Sequence, residues 1–177
     1  MTMFLLLMLA AMGAVVSYIS LRSDKFRVAR SIIVDAPPEA VYPYLTDFHA
    51  WENWSPLSRF DADVERSHEG PPLGAGAVFS WTGDPRQGSG VMKILTCSPD
   101  ERVIIRRRLT RPFEMSDEFR FDLTPVGQGT EVVWQASGRL DFMGKSANLF
   151  SGLERKLGGQ FEQGLKNLKS LVETKGR

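Results

Sequence analysis

Residues 150–172 read FSGLERKLGGQFEQGLKNLKSLV, and within them Phe150, Leu153, Leu157, Phe161, Leu165, Leu168 and Val172 recur at spacings of three and four. That is the period of one apolar helix face. The chain upstream is written mostly in short alternating runs of β-branched and aromatic residues, the period of half-buried strands. A stripe of this length has to be covered, and strands are the only large partner available. The expectation is an α+β domain in which a curved antiparallel sheet grips one long C-terminal helix. Such a cup, with few ionisable groups inside, suits apolar ligands. The glycines Gly158, Gly159 and Gly164 weaken the middle of the helix, each by about 1 kcal/mol relative to alanine, unless they let the sheet come close.

Working back from the helix, seven strands are predicted. The first runs from Phe26 to Asp35. The others are Phe60 to Glu69, Gly76 to Thr82, Gly90 to Ser98, Arg102 to Thr110, Met115 to Thr124 and Thr130 to Leu140. Turn signals separate them at Gly70-Pro71-Pro72, Gly83-Asp84-Pro85, Pro99-Asp100, Arg111-Pro112 and Gly127-Gln128-Gly129. Between the first two strands, Pro37-Pro38-Glu39 opens a helix to Leu45, since proline and an acidic residue both suit a first helical turn. Pro43 predicts a kink or break near Val41. Asp47 is placed to cap a second short helix carrying His49, Trp51 and Trp54, ended by Ser55-Pro56.

Met1 to Leu21 contains no charged residue. As a helix it would rise about 31 Å, close to the roughly 30 Å of a bilayer's hydrocarbon. The segment is therefore read as an N-terminal transmembrane helix, with residues 22–177 as one further domain. A cleaved signal peptide fits less well, for lack of a basic start and a shorter apolar core, although Ala11-Met12-Gly13 has a small-x-small pattern. Arg22, Lys25, Arg27 and Arg30 follow the segment, so the positive-inside rule predicts a single-pass membrane protein with its domain in the cytoplasm.

The 22 basic and 21 acidic residues nearly cancel, which gives no electrostatic footprint for nucleic acid. Asp35 to Glu69 is mostly acidic, while Arg102, Arg106, Arg107, Arg108 and Arg111 crowd one strand and turn. A single Cys97 excludes an internal disulfide.

The motifs Ala36-Pro37-Pro38-Glu39-x-Val41, Leu45-x-Asp47-Phe48 and Trp51-x-x-Trp54-Ser55-Pro56 come in a fixed order. Trp81-x-Gly83, Gly88-x-Gly90, Gly129-Thr130-x-Val132-x-Trp134 and Phe161-x-x-Gly164-Leu165-x-x-Leu168 follow them. Together they resemble the helix-grip fold of the START-like (SRPBCC) superfamily, and within it the polyketide cyclase/dehydrase and lipid-transport branch, over about Phe26 to Glu173. The resemblance implies a seven-stranded curved sheet and a ligand-sized cavity under the last helix. It implies no particular reaction, because members of one fold carry many functions.

His49 and His68 do not stand at metal-ligand spacing with Cys97 or with each other, so no metal or other cofactor is expected. Asp61, Asp63 and Glu65 alternate with Phe60, Ala62 and Val64, as the solvated face of a strand should. Cys97 has no base beside it in sequence. If Phe119, Phe121 and Leu123 face inward, Asp117 shares their face and Glu118 does not, while Arg107 on its strand is a further candidate for the interior. The cavity lining is predicted to be Trp54, Phe79, Trp81, Phe119, Phe121, Trp134, Leu157 and Phe161. The leading expectation is a membrane-anchored domain that binds a hydrophobic small molecule or lipid. The alternatives are a cyclase or dehydratase using Asp117 as its acid/base group, and a non-catalytic accessory domain acting through its outer surface.

Overall fold

The computed structural model describes residues 2–84, 86–112, 114–140, 144–146 and 152–175. Helix α1 (Thr2–Leu21) precedes strand β1 (Lys25–Val34), helices α2 (Pro38–Thr46) and α3 (Phe48–Trp54), and a 3-10 turn at Pro56–Ser58. Strands β2 (Glu65–Glu69), β3 (Val78–Thr82), β4 (Ser89–Ser98), β5 (Arg102–Arg111), β6 (Met115–Val126) and β7 (Gly129–Arg139) follow. Helix α4 (Leu153–Lys175) closes the described chain.

The seven strands form one antiparallel sheet in the order β1-β7-β6-β5-β4-β3-β2. Strands β2 to β7 are a meander of hairpins. The path from β1 across α2 and α3 carries the chain to the far edge, and the meander returns to pair β7 with β1. Alternation along the central strands buries Val103 and Ile105, then Phe119, Phe121 and Leu123, then Val132, Trp134 and Ala136 on the concave face. Against them α4 lays Leu157, Phe161, Leu165, Leu168 and Val172, as its stripe predicts. Phe150 lies outside the described residues, and Leu153 opens the helix only half-buried.

Two of the three glycines in α4, Gly158 and Gly164, are places of close approach. A Cβ at Gly164 would come within 2.9 Å of the Trp134 ring and 3.0 Å of Pro56, and one at Gly158 would overlap the Arg30 guanidinium. Gly159 has open space around it.

Three expectations need correction. Helix α2 runs unbroken through Pro43. The missing N–H would have bonded the carbonyl of Glu39 in the first turn, and with both residues exposed, water can take that carbonyl instead. The strand predicted from Phe60 pairs only from Glu65. Ahead of it the backbone turns, with Val64 N–H donating to the Asp61 carbonyl (3.2 Å) and Asp61 N–H to Gln87 Oε1 (3.0 Å), so Asp61 and Asp63 share no strand face. Finally, the single-pass membrane location is not upheld: among the described residues no helix is long and apolar enough to cross a membrane. The last turns of α1 carry Ser17, Tyr18 and Ser20, which interrupt its apolar run. The cytoplasmic placement built on that span goes with it.

Candidate functional site

Strand β5 alternates Val103, Ile105, Arg107 and Leu109 toward the concave face, which carries a cation among apolar neighbours. The β5–β6 register sets Arg107 opposite Asp117. There the guanidinium makes a bidentate pair, Nε donating to Oδ1 (2.9 Å) and Nη2 to Oδ2 (2.6 Å). The Asp117 side chain has no exposed surface and that of Arg107 keeps 8%. The guanidinium also lies 4.6 Å above the centre of the Phe119 ring, a cation–π contact. A buried pair of this kind holds only because both charges are matched and hydrogen-bonded. Both oxygens of Asp117 accept from Arg107, which makes the carboxylate a clamp for the arginine.

Arg107 lies on the wall of a cavity of about 400 Å³ between the sheet and α4. Met92 of β4, Leu109 of β5 and Trp81 of β3 form the sheet side. Gln160 of α4 stands opposite. Pro56, Leu57, Arg59, Phe60 and Asp61 close one flank, with Gln87 from the β3–β4 loop. The indole of Trp81 fits there because its cross-strand partner is Gly90, where a Cβ would come within 2.8 Å of the ring. Phe60 then stacks on Trp81, ring centres 5.5 Å apart. The loop holding Phe60 is fixed by Gln87 Nε2 donating to Asp61 Oδ2 (2.6 Å).

Of the eight residues expected to line a cavity, Trp81 alone borders this one. Phe119 sits directly beneath Arg107. Trp54, Phe121, Trp134 and Phe161 pack with Trp51 into a continuous aromatic cluster, in which Trp134 stacks on Phe161 at 4.0 Å. The indole of Trp54 donates to the Tyr44 carbonyl at 3.1 Å. Phe79 leans on Phe60 and Trp81 behind the cavity, and Leu157 is core. The sequence reading passed over Arg59, Phe60, Met92, Leu109 and Gln160. For Leu109 the signal was present, since β5 alternation puts it on the face of Arg107.

Two other clusters of ionisable groups lie away from the cavity. Burial pushes the Cys97 thiol up, and burial together with Cys97 pushes the Tyr42 hydroxyl up to about 12, so at neutral pH both stay protonated. His49 and His68 stack ring on ring at 4.0 Å, with His49 Nδ1 3.0 Å from Asp47 Oδ1. Burial, then the neighbouring His49, lowers the pKa of His68. Among the described residues no three His, Cys, Asp or Glu side chains come together as a metal site.

A family model described as polyketide cyclase/dehydrase and lipid transport matches residues 25–173. No curated protein sequence matches the chain closely enough to count as a relative. Among solved structures, a protein of Mesorhizobium loti is 20% identical, with 84% of this chain and 98% of that one aligned at a TM-score of 0.61. A protein of Chromobacterium violaceum is 19% identical over 85% and 97%, at 0.58. The Aha1 dimer of Colwellia psychrerythraea is 18% identical over 84% and 96%, at 0.60. At these identities the likeness is one of fold.

Proposed function

Since the chain belongs to the polyketide cyclase/dehydrase and lipid-transport family, we propose that its domain binds a hydrophobic small molecule in the cavity between β3–β5 and α4. The observation that carries this reading is the cavity itself. Its volume of about 400 Å³ falls within the usual range for small-molecule sites, and its wall combines aromatic and aliphatic side chains with nearly as many polar ones. Phe60, Trp81, Met92 and Leu109 supply the apolar contact. Trp54, Phe121, Trp134, Leu157 and Phe161 are buried in the core and do not border this cavity. The reading requires no cofactor and no covalent step.

Native mass spectrometry of the purified full-length protein tests it, alongside the variant Leu109→Trp. Leu109 is half-buried on the cavity wall, so an indole there fills the space without displacing core. A stoichiometric apolar adduct on the parent protein, lost in the variant, is the expected result. A folded parent that carries no adduct and takes up no added decanol would overturn the reading.

A further inference from the structure

We propose, building on the binding reading above, that Arg107 and Arg59 make the cavity selective for amphiphiles that end in a carboxylate. A guanidinium has five N–H donors and no acceptor. Asp117 engages Nε and one hydrogen of Nη2, and no partner is seen for Nη1 among the described residues. Nη1 is not among the polar atoms sealed in protein without a partner, and the side chain borders this cavity, so the spare donors open onto it. Asp117 is locked at zero exposure behind the arginine, and therefore holds the guanidinium plane in one orientation.

Arg59 enters the same cavity from the flank and is in no ion pair among the described residues. The one carboxylate on the wall, Asp61, already accepts from Gln87. The wall therefore offers spare donors from two cations. A carboxylate is the head group that accepts two parallel N–H bonds from such a fork, whereas an ammonium is rejected and a hydroxyl accepts more weakly. On the same wall, Phe60, Trp81 and Met92 provide apolar contact for the rest of the molecule. Head and body of the ligand are thus fixed in direction: acid toward Arg107 and Arg59, chain toward the stacked rings.

The test is calorimetric titration of the full chain with decanoate and with decanol, at neutral pH. Three proteins are compared: the parent, Arg59→Gln, and the paired replacement Arg107→Met with Asp117→Leu, which removes both buried charges together. The parent should bind decanoate about tenfold or more tighter than decanol, the scale of charged hydrogen bonds. Arg59→Gln should lose several-fold on decanoate and nothing on decanol, and since Arg59 is exposed this variant keeps its fold. The paired replacement should erase the preference while still binding decanol. Equal binding of the two ligands by the parent, or a preference that survives in both variants, overturns the selectivity and leaves the cavity reading standing. Binding of neither ligand by the parent overturns both.

Discussion

The two halves of the cup are built from the same materials and end in opposite states. Under the middle of α4 the space is solid: Trp51, Trp54, Phe121, Trp134 and Phe161 interlock, and Gly164 lets the helix sit directly on Trp134 and Pro56. One turn earlier on the same helix face stands Gln160, facing a cavity, with Arg107 on the sheet side where the other half has Phe or Trp. Aromatic content does not separate the halves, since Phe60, Phe79 and Trp81 stack in the open one too. The separation comes from how closely the helix approaches and from one charge pair that cannot be buried without its partner.

Breaking that pair should produce the largest effect. Arg107→Ala or Asp117→Ala alone leaves an uncompensated buried charge and should cost about 3–5 kcal/mol in urea unfolding. Replacing both, as Met and Leu, should cost far less. If the single replacements were as mild as the double one, the pair would not be what organises the open half.

The approach of the helix is sharpened by two glycines. Gly164→Ala should lose about 1–3 kcal/mol by overpacking against Trp134, whereas Gly159→Ala, with open space around it, should gain up to about 1 kcal/mol from helix propensity. Opposite signs in paired thermal melts would assign closure of the solid half to position 164. Equal signs would remove it.

The smallest effect lies outside the cup, at the His49–His68 stack. The folded state holds the His68 pKa below its ordinary value of 6.5, through burial first and His49 second, against the opposing pull of Glu52 and Asp47 and with a further lowering by Arg66. The unfolded chain therefore takes up this proton first. Stability should be complete above about pH 6.5 and should decline as pH falls through the window between that value and the folded one. His68→Phe should flatten this slope in unfolding free energy measured from pH 7.5 to 5, while leaving ligand binding in the cavity unchanged.

The solid half was the more legible in the sequence. The α4 stripe from Leu157 to Val172 and the alternation of Phe119, Phe121 and Leu123 are periodic signals, and they tie Asp117 to whichever face those side chains take. The seven strands and their turns were likewise readable, because hairpins join neighbours in sequence. The open half depends on contacts that no local pattern encodes. Residues Phe60 to Val64 alternate like a strand, yet the Asp61–Gln87 bonds bend them into the flank of the cavity. The partner of Arg107 depended on the β5–β6 register, and that is set by the turn between the strands, not by their composition. In β4 the register with β5 shifts between Ile94 and Thr96, so face assignments made by counting fail beyond that point. The aromatic residues were correctly expected inside, but periodicity cannot tell a side chain that fills a space from one that borders it.

The sheet order also bears on how the molecule assembles. Every pairing from β2 to β7 joins consecutive strands, whereas Lys25 meets Arg139 and Val34 meets Thr130 only once nearly the whole meander exists. Loop-closure entropy therefore places the β1–β7 zipper late in folding, and α4, which packs on β1 and ties Glu162 to Arg30, later still. During synthesis the first strand leaves the ribosome long before its partner, with Ile32, Ile33 and Val34 at an unpaired edge. For that interval the nascent chain is open to wrong strand pairing, and the cavity gains its helical roof only after the pairing that ends the exposure.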